Sequence, residues 1–564
     1  MQDAGVGVIK SHKKCIMRIA VVVFAVLICF NAQSYLLFNK YAVHEDTRES
    51  IIWMAHLADS ELFRGDLHLV YENWKIPIGL KAFYYVSGRF FNPLAVVKIL
   101  PFFLGAISAL FAYHIGCYLK NNTTGLWVSF LVTLSAWYTE RSFAFSDVWF
   151  GEGGAGAFHP VLLLMFIFYF LKKDYLKTGI VMIAQVFIYP PLFIISALTY
   201  PLSATRFSKK SLSFIKNRKI WIVFSGVILV AVCLIAPKYF NPPDELGPVF
   251  NLSEMKQMAE FSSKGRLPVF YDSFFQSITN YRSGLGLDRA KTGLFFAACL
   301  LVILMGKKAF KIRSELWILL LCGLFLFCLA RIFMLKLFEP ERYMRYTFLF
   351  VLIIFVSLNI QRLISNLTKN PGKRAIIHFS LSLFVLFAFL PYLQNAYSFS
   401  NKADKGIKLY EFLGKTPKDT FIAAHPEVMD DITVFALRKG LIMQEADIPY
   451  QQKYYAQISK RTYDFFTAYY AASKQEIYKL SKTYKLDYIV VDREHFTAEY
   501  LESDSFYFAP YNEFIGKIIN NNKKQRFALL EFPDSKIVFK DKKYIVIDAK
   551  KIVADFENLN KESR

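Results

Sequence analysis

The chain reads as an α-helical polytopic membrane protein of about eleven transmembrane helices with a C-terminal α/β soluble domain. Three observations predict this. Over 564 residues, 54% are hydrophobic and only 20% are charged, a balance too apolar for a water-facing chain of this length. The apolar residues gather in long blocks up to about residue 395, and from Asn401 onward the sequence becomes an ordinary globular mixture. Lysines and arginines cluster in the gaps between alternate blocks, as orientation signals do. We therefore expect a membrane domain at 1–398 and a second domain at 399–564.

The first block, Ile19 to Phe38, follows Lys10, Lys13, Lys14 and Arg18. Its core is too long for a cleaved signal and no small-residue cleavage site follows, so a retained anchor is expected. Further spans are expected at Ala95–Leu119, Gly125–Tyr138, Ala157–Leu171, Gly179–Tyr189, Pro191–Thr205, Ile220–Pro237, Gly293–Gly306, Leu316–Phe333, Tyr346–Ile360 and Ala375–Tyr392. Several fall short of the roughly 20 residues a crossing helix needs, which is tolerable where helix ends face protein or a water-filled cavity.

Charge orients these spans. Alternate loops carry Lys120, then Lys172, Lys173 and Lys177, then a run from Arg206 to Lys219, then Lys307 to Arg313, then Arg362 to Arg374. By the positive-inside rule these face the cytoplasm, with the N-terminus. The parity holds only if Tyr189-Pro190-Pro191 separates two helices. The opposite face then holds long loops at Asn39–Leu94 and Tyr239–Arg289, shorter ones at Glu140–Phe158 and Met334–Arg345, and the C-terminal domain. In the first long loop Ile51, Ile52, Ala55 and Leu62 recur at near-helical spacing, a pattern for a helix lying on the membrane surface.

Within the last 160 or so residues, Thr420–Ala424, Tyr488–Val491, Arg526–Phe532, Ile537–Phe539 and Lys543–Ile547 read as strands, while Tyr454–Ala472 and Lys474–Tyr484 read as helices. No glycine-rich phosphate loop follows any strand, which argues against a nucleotide site there. The net charge of +23 forms no basic groove with base-stacking residues, so nucleic acid is excluded as a partner. Of the seven cysteines, all but Cys15 lie in apolar blocks, which argues for small buried side chains rather than disulfides or a metal pair.

Three clusters at the membrane edge, all on the outer face, could carry chemistry, because charge near lipid is costly unless it serves a purpose. His44-Glu45-Asp46 offers a general base or a metal ligand; its plain alternative is a solvated loop acid. Asp147 and Glu152, followed by Gly153, Gly154 and His159, could hold a divalent ion or be incidental loop acids. Glu339-Pro340-Glu341-Arg342-Tyr343-Met344-Arg345-Tyr346 brings guanidinium groups suited to phosphate oxygens, or to snorkelling toward lipid headgroups.

These features resemble the GT-C superfamily of membrane glycosyltransferases, which includes oligosaccharyltransferase catalytic subunits, protein O-mannosyltransferases and aminoarabinose transferases. The resemblance rests on the acidic first outer loop (Glu45, Asp46), the acidic second one (Asp147, Glu152), the proline-broken helix pair at Tyr189–Pro191, the Pro340-x-Arg342-Tyr343 lead-in to a late span, and the outer C-terminal domain. It implies transfer of a sugar from a polyprenyl phosphate or diphosphate carrier to a lipid, glycan or protein acceptor, on the outer face of the cell (inner) membrane. It implies catalytic roles for Asp46, Glu45, Asp147 and Glu152, with the base open between Glu45 and Asp46. It also implies carrier-phosphate binding by Arg342, Arg345 and Tyr343. A divalent ion, Mg or Mn, at Asp46, Asp147, Glu152 and His159 is left open, since some members work without metal. The Trp-Trp-Asp-Tyr-Gly signature of the oligosaccharyltransferases is absent; its place would fall at Ala424–Asp431. The competing classes are a transporter or flippase of lipid-linked glycan, disfavoured by the lack of internal repeats and mid-span acids, and a non-catalytic assembly protein.

Overall fold

The computed structural model describes residues 2–44, 46–136, 153–202, 205–208, 211–214, 218–280, 289–337, 339–394, 403–522 and 526–562. Sixteen helices precede the C-terminal portion: α1 (Gln2–Phe38), α2 (Thr47–Ala58), α3 (Leu67–Lys75), α4 (Ile78–Ser87), α5 (Pro93–Leu119), α6 (Asn122–Ala136), α7 (His159–Lys172), α8 (Tyr175–Ile188), α9 (Pro190–Leu202), α10 (Arg218–Phe240), α11 (Leu252–Met255), α12 (Phe274–Thr279), α13 (Arg289–Met305), α14 (Ser314–Phe333), α15 (Glu341–Leu367) and α16 (Pro371–Gln394). Each expected span overlaps one of these helices, although Gly125–Tyr138 and Pro191–Thr205 run past α6 and α9 into residues outside those described, the latter ending on Thr205 of a strand. Six stretches are long and apolar enough to cross a membrane on their own, within α1, α5, α7, α10, α14 and α15, each of the third and fifth counted together with an adjoining 3₁₀ turn. An antiparallel hairpin, β1 (Thr205–Ser208) and β2 (Ser211–Phe214), joins α9 to α10.

Sequence explains the helix boundaries. The Asp66 side chain accepts the His68 N–H and starts α3, and Asn92 does the same for Leu94 at α5, whose first residue is Pro93. Pro190 and Pro191 lack N–H groups, so α8 cannot run on and the chain restarts as α9. Burial sorts the helices. In α15, 78% of the apolar window is buried, against 17% for α10, so α15 lies at the bundle centre and α10 at its rim. The α14–α15 approach needs Gly323, where a Cβ would stand 2.1 Å from Thr347 Oγ1.

The C-terminal portion has a five-stranded mixed sheet, order β4-β3-β5-β7-β6. Its strands are β3 (Phe421–Ala423), β4 (Lys439–Gly440), β5 (Tyr488–Asp492), β6 (Ile537–Lys540) and β7 (Tyr544–Asp548). Pairing is parallel from β4 through β5 and antiparallel at β7 and β6. Helices α17 (Ile407–Leu413), α18 (Pro426–Phe435), α19 (Gln452–Tyr469), α20 (Lys474–Tyr484), α21 (Ala498–Leu501), α22 (Tyr511–Asn522) and α23 (Ala549–Glu562) complete it. The stretch 526–532 is not a strand. Ala528–Leu530 forms a 3₁₀ turn whose Ala528 and Leu529 are buried, because a short apolar run fills a core equally well from a turn.

The amphipathic stretch of the first loop is also corrected. It forms α2, but Ile51, Ile52, Trp53 and Ala55 are buried in protein, in one apolar cluster with Tyr84 of α4 and with Val428, Met429 and Ile432 of α18. Periodicity reveals an apolar face without saying whether lipid or protein covers it. Ion pairs reinforce the contact: Arg48 reaches Asp431 at 3.2 Å, and Lys418 reaches Asp59 at 2.6 Å. The ring of Tyr71 stacks on Tyr454 at 4.4 Å. The loop at 241–280 joins in, with the N–H groups of Phe250 and Gln452 donating to Tyr450 and Pro248 carbonyls. The two long loops and the C-terminal portion thus form one contiguous mass against the helix ends.

Candidate functional site

Between this mass and the bundle lies a cavity of about 1450 Å³. Asp46 and Arg342, nearly three hundred positions apart, both line it. The first long loop contributes Glu49, Tyr71, Trp74, Lys75 and Lys81; α8 to α10 and the break between α8 and α9 contribute Val186, Tyr189, Ile194, Leu234, Ile235 and Lys238; the C-terminal portion contributes Glu445, Ile448, Tyr450 and Lys453. One part of the wall is therefore charged and another aliphatic.

Asp46 stands directly before α2, its side chain 42% exposed, with His44 Nδ1 4.0 Å from its carboxylate and accepting from the Asp46 backbone N–H at 3.3 Å. Its helix is pinned from two sides. Arg48 is paired with Asp431 on α18, and Glu49 with Lys75 on α3 at 2.7 Å. Lys75 also reaches Glu72 at 3.2 Å. Burial alone would pull the Lys75 ammonium down, but Glu49 and Glu72 outweigh it and hold it above the usual lysine range. Burial pushes the Glu72 carboxyl up to about 8.

Arg342 sits in the first turn of α15, which starts after Pro340. Its Nε meets Glu339 at 3.0 Å, and its Nη1 donates to the hydroxyls of Tyr189 at 3.1 Å and Tyr346 at 3.3 Å. Those two hydroxyls are themselves hydrogen-bonded. Tyr450 donates to the other Glu339 oxygen at 3.0 Å, so the C-terminal portion reaches the arginine through one carboxylate. The guanidinium is thus oriented by Glu339, Tyr189 and Tyr346, with Tyr450 bracing Glu339 from the C-terminal portion.

The remaining sequence candidates fall elsewhere. Arg345 is buried, 3% exposed, and Tyr343 donates its hydroxyl to the Leu337 carbonyl; neither lines the cavity. Tyr343, one position beyond Arg342, is turned to another side of the helix; Arg345, three positions on, shares the side of Arg342 but is buried. His159 is buried against the Tyr346 ring, centroids 4.1 Å apart, with Nδ1 3.2 Å from the Gly156 carbonyl oxygen, and it is off the cavity wall. Glu45, Asp147 and Glu152 lie outside the described residues. Just beyond Glu152, Gly153 has φ +66 and accepts from Tyr84 at 2.6 Å; a Cβ there would stand 2.6 Å from Val97, so only glycine fits. Gly154 to Gly156 reach the cavity wall. Among the described residues no group of three His, Cys, Asp or Glu could hold a metal ion. Asp46 and His44 do not make a metal site by themselves.

Sequence reading did not single out Glu49, Lys75, Lys81, Lys238 or Tyr450. The lysines were findable: Lys238 closes an apolar block on the face that the positive-inside rule leaves poor in lysine. Tyr450 and Glu49 carry no local signal.

No protein-family model matches the sequence, and none of the curated proteins does. Among solved structures, the chain is similar to the oligosaccharyltransferase of Archaeoglobus fulgidus in its apo form, with TM-score 0.49, 12% identity, and coverage of 89% of this chain and 72% of that one. The same figures hold for that archaeal enzyme, AglB, in complex with an inhibitory peptide and a dolichol-phosphate. The complex of the archaeal enzyme with Zn and sulfate gives TM-score 0.48 and 12% identity over 87% of this chain and 70% of that one.

Proposed function

We propose that this chain is a membrane glycosyltransferase that moves a sugar from a polyprenyl phosphate or diphosphate carrier to a lipid, glycan or protein acceptor. In this reading residues 1–398 form the membrane domain and residues 399–564 an extracytoplasmic α/β domain. The N-terminus is cytoplasmic and the enzyme belongs to the cell (inner) membrane, as the distribution of Lys and Arg supports. The observation that carries the reading is the shared cavity: a carboxylate from the first loop and an oriented guanidinium from the head of a late helix line one space with an aliphatic side.

The chemistry follows from that pairing. The acceptor oxygen or nitrogen attacks the anomeric carbon and gives its proton to the Asp46 carboxylate. The bond from that carbon to the carrier phosphate oxygen breaks, and the electron pair leaves on the phosphate. Negative charge grows there as the bond lengthens, so a guanidinium already fixed by Glu339, Tyr189 and Tyr346 acts most strongly in the transition state. The aliphatic wall at Val186, Ile194, Leu234 and Ile235 suits the carrier's isoprenoid chain.

Purified protein incubated with polyprenyl-phosphate sugars, with and without a chelator, is expected to release free carrier. Asp46→Asn should lose most turnover while remaining folded. A variant that keeps wild-type release rules out Asp46 as the base.

A further inference from the structure

Five further basic side chains line the cavity besides Arg342 and Lys75: Lys81, Lys238, Arg266, Lys336 and Lys453. Lys75 is paired with Glu49 at 2.7 Å and lies 3.2 Å from Glu72, Arg342 lies against Glu339, and Arg266 is paired with Glu445 at 2.9 Å. Lys81 and Lys238 differ. Lys81 Nζ donates to the Asn73 carbonyl at 2.5 Å, and Lys238 Nζ to the carbonyls of Lys75 at 3.1 Å and Ile76 at 3.0 Å. Both ammonium groups, one from α4 and one from the end of α10, converge on the turn between α3 and α4. Among the described residues neither forms an ion pair with a carboxylate, although the buried Glu72 acts electrostatically on Lys238.

This arrangement is built. The Trp74 indole N–H donates to the Lys238 carbonyl at 3.2 Å, and its ring lies 5.9 Å from Lys238 Nζ. Both lysines are half-buried. Burial pulls the Lys81 ammonium below the usual lysine range, the mark of a charge without its counter-ion. An ammonium has three donors. Three carbonyl bonds therefore leave three N–H groups across the pair for a ligand.

We propose that Lys81 and Lys238 form an anion subsite of the cavity that takes a phosphate group, separate from the guanidinium of Arg342. The inference deepens the transferase reading and rests on it only for the source of the phosphate, which is the carrier or the acceptor. Binding itself is independent of catalysis. Two cationic subsites on one wall make the substrate pair one that brings at least two negative charges into the cavity.

The test is binding of inorganic pyrophosphate and of polyprenyl phosphate to the full-length protein in nanodiscs. Lys81→Gln and Lys238→Gln should each weaken both probes about tenfold or more, as loss of a charge-assisted bond does. Lys81→Arg and Lys238→Arg should retain binding. Loss of pyrophosphate alone, with polyprenyl phosphate still bound, assigns the subsite to a phosphate other than the carrier's; loss of both assigns it to the carrier. Should the glutamine variants not fold, amine-reactive labelling of the wild type decides, with pyrophosphate expected to protect Lys81 and Lys238. Unchanged affinity in folded variants, or labelling without protection, overturns the proposal. Asp46→Asn keeps pyrophosphate binding if the subsite is real, whether or not transfer is lost, so the two failures are distinguishable.

Discussion

Replacing His68 by glutamine probes the joint between the first loop and the C-terminal portion. His68 is fully buried, with Nδ1 2.9 Å from Asp66 and Nε2 2.9 Å from Asp447. A neutral imidazole has one N–H and could serve only one of those carboxylates, so the geometry calls for the doubly protonated ring. Burial works against that charge, but Asp66 and Asp447 outweigh it and raise the group from 6.5 to about 9. That difference is worth about 3 kcal/mol at full protonation. Because the folded state holds the proton more tightly, the contribution is complete below pH 6.5 and disappears as pH rises through about 9. Glu72, raised from 4.5 to about 8 by burial, also lowers stability with rising pH, but across its own range. The difference between wild type and His68→Gln, rather than either curve alone, therefore isolates the histidine. Thermal unfolding and protease protection in nanodiscs at pH 6, 7.5 and 9.5 measure it. A difference that shrinks by about 3 kcal/mol between pH 6 and 9.5 is expected. A difference constant with pH would show that His68 is neutral in the fold and refute the reasoning.

Other expectations concern the same contacts. Arg48→Ala or Asp431→Ala alone should each cost about 3 kcal/mol by stranding a mostly buried charge, and the double variant less than their sum, read from a double-mutant cycle of thermal unfolding. Tyr189→Phe removes a hydroxyl from the Arg342 network and should slow carrier release about tenfold with unfolding unchanged; an undiminished rate would mean the guanidinium needs no such support. Gly323→Leu should destabilise the bundle by about 1–3 kcal/mol or prevent its assembly, because the α14–α15 contact has no room for a side chain; a wild-type unfolding profile would show that the helices can separate there.

Helices were legible in the sequence wherever a single physical rule dominated. Apolar blocks such as Leu316–Phe333 announce α14 (Ser314–Phe333), and the paired prolines after Tyr189 announce a break that the structure shows. The runs Tyr488–Val491 and Lys543–Ile547 stood out as short β-branched stretches and match β5 and β7 to within a residue at each end. Helix α18, by contrast, begins at Pro426 inside a stretch whose Pro and paired acids masked its burial of Val428, Met429 and Ile432. Asp46 and Arg342 were nameable because charge at a membrane boundary is conspicuous. Tyr343 and Arg345 were named with Arg342, but Tyr343 is turned to another side of the helix, and Arg345, on the side of Arg342, is buried, which sequence spacing does not reveal. Tyr450 and Lys238 became site-lining residues only through chain contacts that no local pattern encodes.

The space that Asp46 begins and Lys453 finishes has a consequence for biosynthesis. During translation a ribosome-bound intermediate ending before residue 445 already carries Asp46 and Arg342 but lacks Glu445, Ile448, Tyr450 and Lys453. The C-terminal part of its cavity wall is missing, so such an intermediate cannot hold a ligand against those four side chains. That part of the wall is added only once Lys453 has left the ribosome, long after Asp46 and Arg342 have done so.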